Sequence, residues 1–173
     1  MEKVVIIYWP KEGNAEASAS KVYSQFDENK ADLIDIASVV ASDLNQYDLI
    51  ILGGSTVGAE IWEEAKPNNI WNVFFKSLNE VKLEGKKVAL FGLGDQVLYP
   101  NNFVDGLSVI YEELQKRGAD LIGSWPTEGY SFTDSTAIKN GKFLGLALDE
   151  DNESDLTDAR IEEWLAQLKS EVN

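Results

Sequence analysis

The sequence predicts an α/β fold in three layers, a five-stranded parallel sheet with helices on both faces, within a single domain spanning 1–173. Short β-branched apolar runs alternate with segments of helical period, the pattern that builds a parallel sheet between helices. The 173 residues, 44% hydrophobic and 10% aromatic, suit one compact core and leave little room for a second. Glycine-bearing loops follow several of the apolar runs, where such sheets bind ligands.

The expected strands are Lys3 to Tyr8, Ala31 to Ile36, Asp48 to Gly53, Lys86 to Gly92 and Ala119 to Trp125. Ala15, Ala19, Val22, Tyr23 and Phe26 recur with helical spacing and predict one face packed on the sheet; Ile70, Val73, Phe74 and Leu78 predict another. A third stripe, Val104, Leu107, Ile110, Tyr111 and Leu114, follows a cap expected at Asn101 or Asn102 and stops at Gly118, with Asp105 near the positive end of the helix dipole. The last helix is expected from Thr157, with acidic residues early, Lys169 late, and Ile161, Trp164, Leu165 and Leu168 on its buried side. Pro126 to Gly145, rich in Pro, Gly, Ser, Thr and aromatic residues, is expected to be an ordered insertion in the last strand.

Composition removes whole classes of chemistry. With no cysteine and no histidine, disulfides, thiolate metal sites, iron–sulfur ligation, thiol catalysis and the commonest general base are all excluded. A formal charge of −15 repels nucleic acid and anionic lipid and favours encounters with basic protein surfaces. No apolar run approaches the roughly 20 residues that cross a bilayer, and MEKVVIIYW lacks the regions of a secretory signal, so a cytoplasmic protein without a membrane partner is expected.

In an open α/β sheet the ligand lies beyond the carboxyl ends of the strands, where strand order reverses. That rule selects Trp9 to Ala15, Gly54 to Lys66 and Leu93 to Asn102. The first places Gly13 and Asn14 at the mouth of a helix whose unpaired N–H groups can hold an anion, although a glycine there also serves a tight turn. The third carries Gly92, Gly94, Asp95 and Tyr99, allowing close backbone approach beside a flat aromatic face.

At these residues the sequence resembles a known family. FGLGDQVLYPNNFVDGL, GSWPTEGYSF and FLGLALDEDNESDLTDARIEEWLAQLKSE are similar to segments of the long-chain flavodoxins, and Pro126 to Gly145 resembles the insertion that separates long-chain from short-chain members. The resemblance implies the family's strand order, 2-1-3-4-5, and FMN as a non-covalent cofactor. It implies that the phosphate of FMN sits in the first loop, Trp9, Pro10, Lys11, Glu12, Gly13, Asn14 and Ala15, and the ring between the second and third. Tyr99 would stack on one ring face, Leu93, Gly94 and Asp95 would line the pyrimidine end, and Asp149 would reach the ribityl chain. Ser55, Thr56, Val57 and Gly58 would border the other face, where the peptide at Gly58 could flip to accept a hydrogen bond from N5 of the reduced ring. Negative charge beside the ring would lower its reduction potential, and no catalytic acid or base is needed.

Two departures from the family pattern alter these expectations. Its phosphate loop reads T/S-x-T-G-x-T, whereas Pro10-Lys11-Glu12-Gly13-Asn14-Ala15 offers none of the three hydroxyls. Each such bond to a charged group contributes roughly 1.5 to 3 kcal/mol, so the phosphate is expected to add less affinity than usual. The second loop has Val57 where many members stack an aromatic, and Trp62 could fold over the ring or simply pack beneath the long loop.

The expected function is therefore that of a low-potential one-electron carrier on FMN, a monomer working with redox proteins that present basic docking surfaces, such as reductases and iron–sulfur enzymes. The alternative is a flavodoxin-like binding or regulatory module that has lost FMN or prefers another ligand, supported by Pro10, Glu12 and Ala15. Quinone reduction is compatible with the fold. A phosphoacceptor receiver domain is excluded, because the third strand ends in Gly53 and Gly54 instead of an aspartate.

Overall fold

The apolar runs become the strands β1 (Val4–Trp9), β2 (Ala31–Asp35), β3 (Leu49–Gly54) and β4 (Lys87–Leu93), each within a residue of its expected bounds, with β1, β3 and β4 buried on both faces and β2 half-buried at the sheet edge. The computed structural model describes residues 3–27, 29–55 and 69–172. β5 (Asp120–Ile122) completes a parallel sheet in the order β2-β1-β3-β4-β5, the order the resemblance implied.

The fifth strand is shorter than expected. β5 pairs with Lys87 to Ala89 of β4, and β9 (Leu146–Leu148) pairs with Phe91 to Leu93, so two separate segments share one edge. Between them the chain leaves the sheet at Gly123, whose φ of +80° is open to glycine and strained for other residues. Trp125, expected in the fifth strand, pairs instead with Phe143 in a small antiparallel sheet of β6 (Trp125–Pro126), β8 (Lys142–Phe143) and β7 (Ile138–Lys139). The insertion is thus ordered and interrupts the last strand, both as expected.

α1 (Asn14–Tyr23) and α4 (Thr157–Val172) pack together on one side of the sheet, with α2 (Ile70–Ser77) and α3 (Gly106–Gln115) as the other α-helices among the described residues. Two faces differ from expectation. On α1, Ser18 joins Ala15, Ala19 and Val22 in the core, which turns the stripe away from Tyr23 and leaves that ring exposed. On α2, Trp71, Phe74, Phe75 and Leu78 form the buried i, i+3, i+4, i+7 set and Val73 faces solvent, because the bulky aromatic rings outweigh the smaller Val73.

α3 also starts later than expected. Neither Asn101 nor Asn102 caps it; Val104 takes a φ of +50°, a strained conformation for a β-branched residue, and the helix begins at Gly106. Asp105 bonds outward instead, accepting from the Thr136 N–H at 2.8 Å and from Asn102 Nδ2 at 3.0 Å, which ties the helix entry to the insertion. α4 starts at Thr157 and buries Ile161, Trp164, Leu165 and Leu168, as its pattern predicts.

Register brings the functional loops to one edge. Trp9 lies opposite Gly54, Gly54 opposite Gly92, and Gly92 opposite Ala147, so the chain leaves β1, β3, β4 and β9 side by side. Gly53 is required just below that edge: a Cβ there would lie 1.8 Å from Cζ of the buried Phe91 ring.

Candidate functional site

β1 and β3 are neighbours whose chains turn outward to β2 and β4, so the crevice beyond Trp9 and Gly54 is where strand order reverses. The third loop forms one wall. Asp95 builds it: Oδ1 accepts from the N–H groups of Val97 at 2.9 Å and Leu98 at 2.8 Å, and from Asn152 Nδ2 at 2.9 Å. The Leu98 N–H is the largest influence, and with Asn152 and Val97 it holds the Asp95 carboxyl below the usual range, so a negative charge persists there at neutral pH. Tyr99 N–H donates to Asp95 O at 2.9 Å, closing the turn. Its ring is 64% exposed beside Leu98 at 71%, an apolar ledge that folding alone does not bury.

Asp149 takes a different part from the one expected. It is fully buried, with Oδ2 accepting from Gln96 N–H at 3.1 Å and Oδ1 from Asn152 N–H at 3.1 Å, so its oxygens brace the loop and do not face an open crevice. Gln96 extends the brace by accepting the Ser131 N–H, and the Thr133 and Asp134 N–H groups both donate to Pro100 O, at 2.7 and 2.9 Å. Phe103, Tyr130, Phe132 and Phe143 pack their rings 5.2–5.8 Å apart behind these bonds. The insertion is a buttress for the wall that carries Tyr99.

The first loop is organised by a residue the sequence reading passed over. Glu16, in the first turn of α1, accepts the Tyr8 hydroxyl on Oε1 and the Glu12 backbone N–H on Oε2, both at 2.7 Å. The Glu12 N–H and then the Tyr8 hydroxyl lower its pKa. Glu12 has a φ of +58° and, with Lys11, Gly13 and Asn14, is exposed, whereas Ala15 is buried. The Trp9–Pro10 peptide is cis. Lys11 Nζ lies 3.3 Å from Asp35 Oδ2, so the one cation of the loop already faces a carboxylate. Gly13 is the N-cap and provides no side-chain cap. An acid in the first helical turn that reaches back past the cap is the signal that could have revealed Glu16.

Of the second loop, Gly54 and Ser55 are described, with Gly54 buried against the Trp71 ring; Thr56, Val57, Gly58 and Trp62 lie outside the described residues. The structure therefore brings together Trp9 to Ala15, Ser55 and Leu93 to Tyr99 at one edge, and places Asp149 behind it. Among the described residues no cluster of acidic side chains could hold a metal ion, and no helix is long and apolar enough to cross a membrane.

A parallel 2-1-3-4-5 sheet with an exposed aromatic ledge at its switch point defines the class of doubly wound α/β proteins that bind a ligand beyond the carboxyl ends of their strands. The flavodoxin family model matches residues 6–164. Flavodoxin from Nostoc sp. is 41% identical over 170 residues, covering 98% of this chain and 97% of its own, and that of Synechococcus elongatus is 42% identical over 172, covering 99% and 98%. The crystal structure of Fusobacterium nucleatum flavodoxin bound to flavin mononucleotide superposes with a TM-score of 0.85 at 29% identity, covering 99% of both chains. The chain belongs to the flavodoxin family.

Proposed function

We infer that this chain carries electrons one at a time on non-covalently bound FMN, at low potential, between redox proteins. The observation that carries the reading is the Tyr99 and Leu98 ledge, left exposed at the switch point on a loop pinned by Asp95, Gln96 and Asp149. A planar ring laid there would bury that surface. The ionised Asp95 nearby disfavours added negative charge and lowers the potential at which an electron is accepted. Flavin supplies the reversible electron uptake.

The residues present fit the two ends of FMN unequally. Tyr99, Leu98, Leu93, Gly94 and Asp95 suit the ring, with Ser55, Thr56, Val57, Gly58 and Trp62 proposed for its other side. The helix mouth at Gly13 suits the tail far less. The single core that unites both sides of the sheet supports one domain over 1–173. The charge of −15 fits docking on the basic faces of reductases and iron–sulfur enzymes, by a monomer in the cytoplasm.

The purified protein should be yellow, release FMN on denaturation, and quench the fluorescence of added FMN once stripped. A colourless protein that leaves FMN fluorescence unchanged at saturating concentration would overturn the assignment.

A further inference from the structure

The mouth of α1 is where the tail of a flavin held at Tyr99 would arrive, and its electrostatics are those of a site already holding an anion. The Glu12 N–H, which would otherwise point at a ligand oxygen, is donated to Glu16 Oε2 at 2.7 Å, and the other oxygen of Glu16 takes the Tyr8 hydroxyl. Asp35 stands beside them, accepting from Ala37 N–H at 3.1 Å and Ser38 Oγ at 2.8 Å, and pairs with Lys11. Glu16 and Asp35 thus set two carboxylates against one ammonium, and Pro10 to Ala15 contain no hydroxyl. A phosphate dianion could use the free first-turn amides of α1 only beside a net negative cluster.

We propose that Glu16 serves as this loop's built-in anion in place of a ligand phosphate, so that the site accepts a flavin with little regard to whether the phosphate is present. The proposal rests on the flavin-carrier reading and narrows it to the ligand class: the isoalloxazine and ribityl portions supply the affinity, and riboflavin binds nearly as well as FMN. Glu16 sets specificity from within the protein, through the donors it occupies and the charge it places at the helix mouth.

Flavin-free protein titrated with FMN and with riboflavin, followed by fluorescence quenching, tests this directly. The riboflavin Kd should lie within about tenfold of the FMN Kd, and Glu16→Gln should raise the ratio of riboflavin Kd to FMN Kd by about tenfold. Added salt should leave FMN affinity constant or raise it, because screening relieves repulsion. This arm needs only the unaltered protein, should Glu16→Gln fail to fold. A larger preference for FMN, a ratio unmoved by Glu16→Gln, or FMN affinity that falls with salt while that of riboflavin does not, overturns the proposal and leaves the carrier intact. Failure of both flavins to bind overturns the carrier reading as well.

Discussion

The Gln96 backbone N–H donates to Asp149 Oδ2 at 3.1 Å, joining the loop after β4 to the turn after β9 inside the protein. Asp149 is fully buried and also accepts from the Asn152 N–H, so two loops share one carboxylate. Asp149→Ala leaves those donors without their partner and should cost about 2 to 4 kcal/mol in urea unfolding. Asp149→Asn keeps an acceptor and should cost less. Both should weaken flavin binding by freeing the ledge; unchanged unfolding for Asp149→Ala would show the brace to be unimportant.

Tyr99 and Leu98 separate binding from folding. Both are mostly exposed, so Tyr99→Ala and Leu98→Ala should shift stability by no more than about 0.5 kcal/mol. Loss of the Tyr99 ring should still weaken FMN by about tenfold and restore part of its fluorescence, since stacking contributes about 0.5 to 1.5 kcal/mol. Titration with an unaltered Kd would exclude Tyr99 from the ring site.

Below the crevice, Gly53→Ala should be among the most damaging single changes. Its Cβ would meet the Phe91 ring at 1.8 to 2.3 Å, and that ring has nowhere to move in a fully buried position. A loss of about 3 kcal/mol is expected, and Phe91→Leu should be less harmful in the Gly53→Ala background than alone. Additive losses in that double-mutant cycle would contradict the contact.

Tyr8, Tyr47 and Tyr130 are all pushed up to about 12, chiefly by burial; Glu16 adds to the shift at Tyr8 and Asp32 at Tyr47. A phenol raised in the folded state stabilises fully below the unfolded value near about 10, and that contribution disappears as pH rises toward 12. Stability should therefore fall between about pH 10 and 12, by about 2 kcal/mol for Tyr130. Absorbance titration should show these phenolates forming only near 12, together with loss of structure. Complete ionisation near pH 10 in the folded protein would refute the shifts.

Much of the architecture was legible because it depends on local pattern. β-Branched runs fixed the first four strands and apolar spacing fixed α4, since burial on both faces or along one stripe leaves a direct trace in residue order. The edges of the loops were legible too: a parallel sheet must present Trp9, Gly54 and Leu93 at the same end. Strand order came from the resemblance alone, because no residue spacing specifies which parallel strands become neighbours.

The rest was decided by contacts between distant residues. Whether Trp125 continues the sheet or pairs with Phe143, and whether Val73 or Trp71 enters the core, depends on competition for space that one segment cannot reveal. The same holds at the crevice. Residue types alone supplied Tyr99, Asp95 and the loop Pro10 to Ala15 as candidates, but only folding turned Asp149 inward to Gln96 and bent Glu16 back onto Glu12. A carboxylate has the same chemistry in either place; which N–H groups surround it is a property of three dimensions, and that determines whether it braces a wall or stands in for a ligand's charge.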